Sequence, residues 1–278
     1  MDSEPFGARL HRAMSTRGRL CVGIDPHAAL LTDWGLNDDV PGLERFTMTV
    51  VETLAETTAV FKPQSAFFER FGSRGVAVLE RAVTAARQAG ALVLMDAKRG
   101  DIGSTMTAYA ATYLHKDSPL FCDAVTVSPY LGFGSLRPAL DAARISGAGV
   151  FVLALTSNPE GHEVQHAVTQ EGPRVGQLML DHVAAENAGE TPLGSVGAVI
   201  GATRKDLADF DLAVGGPLLA PGIGTQGATP ADLPGIFGAA LDQVVPSVSR
   251  GLLRHGPDSR ALRDSALRYA DEVRAAIR

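Results

Sequence analysis

The stretch Ala91–Thr105 reads ALVLMDAKRGDIGST, and its pattern decides the fold. Its first five residues, Ala91–Met95, form an apolar run that is typical of a fully buried strand. A charged cluster follows at once: Asp96, Lys98, Arg99 and Asp101. Because successive side chains of a strand point to opposite faces, Asp96 and Lys98 are expected on the same face.

Two interpretations of this charged cluster are open. Opposite charges that lie close together at the end of a buried strand shift each other's pKa, which favours a functional site. Alternatively, Asp96 and Lys98 form a plain salt bridge, and Asp101 only caps the first turn of the helix that should follow. The rest of the chain decides between them.

Short apolar runs alternate with helical patterns along the whole chain, as expected for a parallel sheet. The predicted strands are Leu20–His27, Ala59–Gln64, Ala91–Met95, Asp123–Tyr130, Gly149–Pro159, Val196–Thr203, Pro217–Gly224 and Val244–Leu253. The predicted helices are Leu10–Met14, Leu43–Thr57, Gly75–Ala89, Ser104–Leu114, Leu136–Ile145, Val175–Ala188, Arg204–Phe210, Ile236–Leu241 and Ser259–Ile277, with a long loop over Glu160–Pro173.

This alternation predicts an α/β fold, a (β/α)8 TIM barrel that forms a single domain over residues 1–278 and begins with a short leading helix. The alternative is a doubly wound open sheet. That fold normally places a glycine-rich turn after its first strand, where this chain has Asp25 and Pro26 instead.

Composition excludes several classes of function. The 278 residues are 45% hydrophobic and 20% charged with a net charge of −6, which suits a globular protein and argues against nucleic acid or an anionic membrane as the main partner. Cys21 and Cys122 lie in apolar runs and are expected to be buried thiols, with no metal-type spacing. Neither a signal peptide nor an apolar run of about 18 residues is evident, so a cytoplasmic protein is expected.

Polar side chains occur where the predicted strands end: Asp25, Lys62, Asp96, Lys98, Ser128, Ser157 and Arg250. Each could cap a neighbouring helix, and for Ser128 this is the favoured interpretation. A closed barrel, however, brings all its strand ends to one rim, which is where such barrels have their active sites. This convergence favours one functional site.

A phosphate site is predicted beside this rim. The segment Pro221–Gly227, PGIGTQG, supplies glycines that allow close backbone approach, and Arg250 follows on the next strand. An ordinary glycine-rich turn is the alternative. Gln226 and Arg250, which flank the turn, favour phosphate binding.

These motifs resemble the orotidine 5′-phosphate decarboxylase family over nearly the whole chain. Asp96, Lys98, Asp101, Ile102 and Thr105 match its D-x-K-x-x-D-I-x-x-T pattern. The other matching features are Asp25, Lys62, the T-S-N-P turn with Ser157, Gln226 and Arg250, and the segment Phe61–Glu69, FKPQSAFFE, is similar to the actinobacterial-like type 2 branch. Related sugar-phosphate decarboxylases and synthases share D-x-K-x-x-D, so the combination with Lys62 is the more specific feature.

The resemblance implies decarboxylation of orotidine 5′-phosphate to uridine 5′-phosphate, the last step of de novo pyrimidine nucleotide synthesis, with no metal or cofactor. It implies that Lys62, Asp96 and Lys98 form an alternating charged array, which Asp101 of the partner subunit completes in a homodimer. Lys98 would deliver the proton to C6 of the pyrimidine.

The resemblance also implies a set of substrate-binding residues. Asp25 and Lys62 would hold the ribose hydroxyls, and Arg250 would clamp the phosphate. Ser157, or less favourably Thr156, would bind the amide edge of the pyrimidine. The other expected substrate-binding residues are Gln226, which would lie between phosphate and base, Thr105, which would act across the dimer interface, and Ile102 and Gly224. The candidate lids over the site are Asn158–Pro173 and Thr225–Pro234.

Two other functions remain open from the residues. A metal-dependent sugar-phosphate lyase on the same barrel would carry an acid after its second strand, where Lys62 would instead repel a cation. A non-catalytic nucleotide-binding protein would not need a Lys–Asp–Lys array, which lowers stability when no ligand is bound.

Overall fold

The computed structural model of the protein describes residues 4–204 and 206–277. In this part of the chain, eight parallel strands close into a barrel in the order in which they occur in the sequence. The strands are Cys21–Ile24 (β1), Val60–Pro63 (β2), Leu92–Arg99 (β3), Ala124–Val127 (β4), Gly149–Leu155 (β5), Val196–Ile200 (β6), Leu218–Pro221 (β7) and Val244–Val248 (β8). The predicted (β/α)8 barrel is therefore confirmed, and the open sheet is excluded.

Helices on the outside of the barrel connect these strands. They are Phe6–Arg17 (α1), Ala28–Asp33 (α2), Val40–Leu54 (α3), Ala66–Glu69 (α4), Gly72–Gln88 (α5), Gly103–Leu114 (α6), Arg137–Ser146 (α7), His162–Gln165 (α8), Val175–Glu186 (α9), Leu233–Phe237 (α10), Arg250–Leu253 (α11) and Ser259–Ala276 (α12). Short 3-10 helices cover Phe133–Leu136, Pro159–Gly161, Leu207–Asp209, Pro230–Asp232 and Gly238–Gln243. The longer helices are amphipathic; α3, for example, buries Leu43, Phe46, Val50 and Leu54, which helical spacing places on one face.

The apolar core has two layers. The larger layer lies between the strands and the surrounding helices, and the smaller one fills the barrel interior. Helix α1 closes the amino end of the barrel, because its Phe6 and Leu10 belong to the interior layer and the Phe6 ring meets the edge of Phe151 at a centroid distance of 6.0 Å. Both cysteines are free and buried, as expected.

Six of the eight predicted strands run three to five residues past the observed carboxyl ends, and β3 runs further than predicted. β3 does not end at Met95 but continues past Asp96 and Lys98 to Arg99, with a register shift relative to β4 after Met95. The last strand is shorter than predicted, because the backbone of Ser249 (φ −128°, ψ −94°) leaves the extended conformation and α11 begins at Arg250. The apolar residues after Arg250 are therefore buried from a helix rather than from a strand.

Three predictions for the connecting segments were also inexact. Arg204–Phe210 forms only the 3-10 turn Leu207–Asp209 in its described part, which lacks position 205. The helix predicted at Ile236–Leu241 starts earlier, as α10, and gives way to a 3-10 helix at Gly238, whose φ of +48° interrupts it. The loop Glu160–Pro173 contains the short helix α8.

Across residues 4–204 and 206–277, none of the helices combines the length and the apolar character that a membrane span requires.

Candidate active site

A cavity of about 1090 Å³ opens at the carboxyl ends of the strands. It brings together eight of the residues singled out in the sequence: Asp25, Lys62, Asp96, Lys98, Ser128, Ser157, Gln226 and Arg250. Ser128 thus lies in the cavity wall, and its side chain does not cap the helical turn Phe133–Leu136 that follows, contrary to the favoured interpretation. The other polar strand ends converge because the barrel closes.

Two ammonium groups share one carboxylate in the wall of this cavity. Lys62 Nζ lies 2.8 Å from Asp96 Oδ2, and Lys98 Nζ lies 2.5 Å from Asp96 Oδ1. Thr126 donates its hydroxyl to Asp96 Oδ1 at 3.0 Å, and the Gln64 amide donates to Oδ2 at 3.2 Å. Every oxygen of the carboxylate therefore accepts a charged and a neutral hydrogen bond, which fixes its orientation.

The backbone of β3 brings Lys98 onto the same side as Asp96. Lys98 has a φ of +48°, the one positive value among the non-glycine residues that the structure describes. Its N–H donates to Thr126 Oγ1 at 2.9 Å, so β4 holds this uncommon conformation in place. Lys62 and Asp96 are buried, whereas 44% of the Lys98 side chain is exposed to the cavity.

The electrostatics of the array keep its buried members charged. Burial acts to lower the pKa of Lys62, but the charges of Asp96 and Asp25 outweigh it and hold that pKa above the usual range. Burial likewise acts to raise the pKa of Asp96, and the charges of Lys62 and Lys98 overcome it and hold this pKa well below the ordinary value. At neutral pH a carboxylate therefore lies between ammonium groups in a largely dry setting.

Two buried oxygens in the cavity wall have no hydrogen-bond partner among the described residues: Asp25 Oδ1 and Ser249 Oγ. They flank Gly23, where an added Cβ would lie 2.7 Å from Ser249 Cβ and 3.4 Å from Asp25 Oδ2. An unpaired buried polar atom costs about 1–3 kcal/mol, and a hydrogen bond from a bound molecule would remove this cost. Their position suits the hydroxyl groups of a bound molecule.

Loops after β7 and β8 form the side of the cavity where phosphate binding was predicted. Gly222 and Gly224 have φ values of +114° and +88°, which favour glycine, and Gly222 lies in the cavity wall whereas Gly224 lies behind it. The Tyr269 hydroxyl packs beneath Gly224 and Gly251, since added Cβ atoms there would lie 3.1 and 2.6 Å from it. This close packing sets the exposed Arg250 beside the glycine-rich turn.

Besides Gly224, three predicted site residues lie outside the cavity of this chain: Asp101, Ile102 and Thr105. Asp101 does not cap α6, because that helix begins at Gly103 with Ile102 as its N-cap, and Asp101 Oδ1 accepts only the Ile102 N–H, at 2.8 Å. Ile102 is 62% exposed, and Tyr130 and Leu131 expose further apolar surface on the segment after β4. Of these exposed apolar residues, Tyr130 also lines the cavity, whereas Ile102 and Leu131 do not.

The cavity is also lined by three polar residues that the sequence patterns do not single out: Thr126, Gln64 and Ser249. Thr126 carried a usable signal, because it is the one polar residue in the run Ala124–Val127 and its side chain alternates into the barrel. Ser249 was hidden because the predicted strand ran past it. Among the described residues, no group of three or more His, Cys, Asp or Glu side chains is placed to hold a metal ion.

Comparisons with known proteins agree on one family. A family model for orotidine 5′-phosphate decarboxylase / HUMPS matches residues 18–265. Orotidine 5′-phosphate decarboxylases from Streptomyces coelicolor and Salinispora arenicola are 73% and 61% identical over 274 residues, which cover 99% of this chain and 99% of each relative. A Streptomyces avermitilis crystal structure assigned to the same enzyme superposes with a TM-score of 0.98 at 74% identity, over 100% of this chain and 97% of that one.

Proposed function

The chain belongs to the orotidine 5′-phosphate decarboxylase / HUMPS family and decarboxylates orotidine 5′-phosphate to uridine 5′-phosphate in pyrimidine synthesis, and we propose that Lys62, Asp96 and Lys98 are its catalytic centre. The observation that carries this proposal is the single buried carboxylate between two ammonium groups at the mouth of the barrel. The same array predicts which chemical step each group performs.

Lys98 is the acid of the proposed mechanism. When the bond between C6 and the carboxylate breaks, CO2 leaves and an electron pair stays on C6 in the plane of the ring, where no adjacent carbonyl delocalises it. An ammonium group fixed beside C6 stabilises this charge as it develops, because it needs no reorganisation and water is largely excluded. Lys98 then gives a proton to C6 and regains one from solvent. Its exposure to the cavity suits this role, whereas Lys62 is buried.

Asp96 and Lys62 act on Lys98 in this proposal. Asp96 accepts from Lys98 Nζ at 2.5 Å, which directs the ammonium group. Lys62 Nζ donates to Asp96 Oδ2 at 2.8 Å and offsets part of the negative charge of the carboxylate. The ammonium group of Lys98 therefore stays available to the substrate. The array is thereby organised before the substrate binds.

The rest of the cavity binds the nucleotide. We assign the ribose hydroxyls to Asp25 and Lys62, with Ser249 as an additional donor or acceptor because its hydroxyl is unpaired. Arg250 and the turn after β7 would bind the phosphate, and Ser157 and Gln226 would bind the base. Since the phosphate lies far from the bond that breaks, its binding energy can order the loops and exclude water.

A homodimer completes the proposed site. Asp101 and Thr105 would act from the partner subunit, and Ile102 with them, because all three lie outside the cavity of their own chain. The exposed Ile102, Tyr130 and Leu131 supply apolar surface next to the cavity for such an interface. A cytoplasmic location is part of the same proposal, and cell fractionation tests it.

The decisive experiment follows the absorbance of the orotate ring while purified protein is mixed with orotidine 5′-phosphate. Wild-type protein should consume the substrate, and Lys98→Ala should reduce kcat by at least about 10⁴-fold because charge stabilisation and the proton donor are lost together. Lys116→Ala, on an exposed turn, is the matched control. A Lys98→Ala protein with a near-normal kcat would defeat the proposal.

A further inference from the structure

Arg204, which follows β6, holds the segment Thr156–His166 at the edge of the cavity. This segment is the β5 loop, since it follows β5. Arg204 Nη1 donates to the carbonyl oxygen of Thr156 at 3.0 Å and to Gln165 Oε1 at 3.1 Å. Its side chain is only 9% exposed, so these charge-assisted hydrogen bonds are shielded from water.

Further contacts fix the orientation of the guanidinium group. Arg204 Nε donates to Asp206 Oδ1 at 2.9 Å, and Nη2 pairs with the other oxygen of that carboxylate. Nη2 also lies 2.6 Å from His166 Nε2, and the His166 ring stacks on His162 at a centroid distance of 4.0 Å. A planar fork with donors in fixed directions can hold all these partners, which a lysine ammonium cannot.

The β5 loop transmits this restraint to Ser157. Gln165 accepts the Thr156 N–H at 3.1 Å and donates to Thr156 Oγ1 at 2.6 Å, so both ends of the loop are tied together. On the other side, an added Cβ at Gly201 would lie 2.8 Å from the backbone nitrogen and Cβ of Ser157. Ser157 is thus held between β6 and the Arg204 contacts, with its hydroxyl 3.4 Å from Gln226 Oε1.

We propose that Arg204 is a positioning residue that sets the location of Ser157 and thereby the recognition of the pyrimidine ring. The inference rests on the proposed role of Ser157 in binding the base. Arg204 does not line the cavity, so it acts through the Thr156 carbonyl and Gln165. Its effect should be confined to the base, because the phosphate side of the cavity is built from the loops after β7 and β8.

Two ligands separate this role from a general structural one: uridine 5′-phosphate, which carries the base, and ribose 5-phosphate, which lacks it. Arg204→Met keeps the length of the side chain and removes its donors. We expect this change to weaken binding of uridine 5′-phosphate about tenfold and to leave the Kd of ribose 5-phosphate unchanged. Arg174→Met, which breaks a more exposed pair with Asp209, is the matched control and should change neither Kd.

Two further variants keep the test informative if Arg204→Met folds poorly. Gln165→Met leaves the Arg204–Asp206 pair in place and should give the same base-selective loss. In a Ser157→Ala background, Arg204→Met should cause little additional loss, because both changes act through one contact. Unchanged affinity for uridine 5′-phosphate, or equal weakening of both ligands, would overturn the inference.

Failure of the underlying assignment gives a different result. If Ser157→Ala leaves the Kd of uridine 5′-phosphate unchanged, the proposed role of Ser157 is wrong and the inference is lost with it. If Ser157→Ala weakens this ligand while Arg204→Met does not, only the role of Arg204 is wrong.

Discussion

Lys98 reaches Asp96 from two positions along the same strand, with Nζ 2.5 Å from Oδ1. Alternation alone would put both side chains on one face, but the register shift of β3 and the φ of +48° at Lys98 determine how the two groups meet. Thr126 contacts both residues, through the Lys98 N–H and Asp96 Oδ1. A neutral side chain on β4 therefore organises the charged pair on β3.

Asp96→Asn should lower the free energy of unfolding by about 3–5 kcal/mol at neutral pH, since it leaves the buried Lys62 without its main counter-charge. Because the pKa of Asp96 is held below its ordinary value, its contribution is present above that ordinary value, about 4, and is lost as pH falls toward the folded-state pKa. The difference between wild type and variant should therefore shrink in acid.

Chemical denaturation of both proteins between neutral pH and about pH 3 measures this difference. Asp271→Asn, at an exposed surface pair, should change stability little at any pH. A difference that grows as pH falls would mean that Asp96 is not the stabilising partner of the two lysines.

Arg250→Ala should raise KM about 10- to 100-fold with a smaller fall in kcat, because the phosphate lies away from the reacting carbon and Arg250 would bind it in ground and transition states alike. Steady-state kinetics measure both constants. Arg254→Ala is the control, since that exposed residue lies four positions further along the same segment. A fall in kcat at unchanged KM would contradict the assignment of Arg250 to the phosphate.

Removal of metal ions should leave activity unchanged. The ammonium group of Lys62 lies 2.8 Å from Asp96, where it would repel a divalent cation from the carboxylate that could otherwise bind one. Dialysis against EDTA, followed by the decarboxylation assay with and without added Mg²⁺, measures this. Loss of activity that Mg²⁺ restores would favour the metal-dependent alternative considered from the sequence.

The barrel and most of the cavity could be predicted from the sequence, because apolar runs define strands and barrel closure brings strand ends together. The local geometry could not. The conformation of Lys98 depends on a hydrogen bond to Thr126 from a neighbouring strand, and β8 ends at Val248 although Gly251–Leu253 is as apolar as a strand. Side chains such as Ser249 and Arg204 acquire their roles from tertiary contacts, which spacing along the chain does not encode.

Asp101 allows a test of the proposed homodimer, because it would belong to a different chain from the Lys98 it serves. Lys98→Ala and Asp101→Asn should each be nearly inactive alone. In a heterodimer of the two, one site combines a normal Lys98 with a normal Asp101 from the other subunit. An equal mixture that exchanges subunits should then recover about a quarter of wild-type activity, since half of the dimers have one complete site.

Lys62→Met mixed with Lys98→Ala is the control and should recover none, because Lys62 and Lys98 contact the same Asp96 within one chain. Recovery in neither mixture, with subunit exchange verified by mass spectrometry, would mean that Asp101 does not act across the dimer interface.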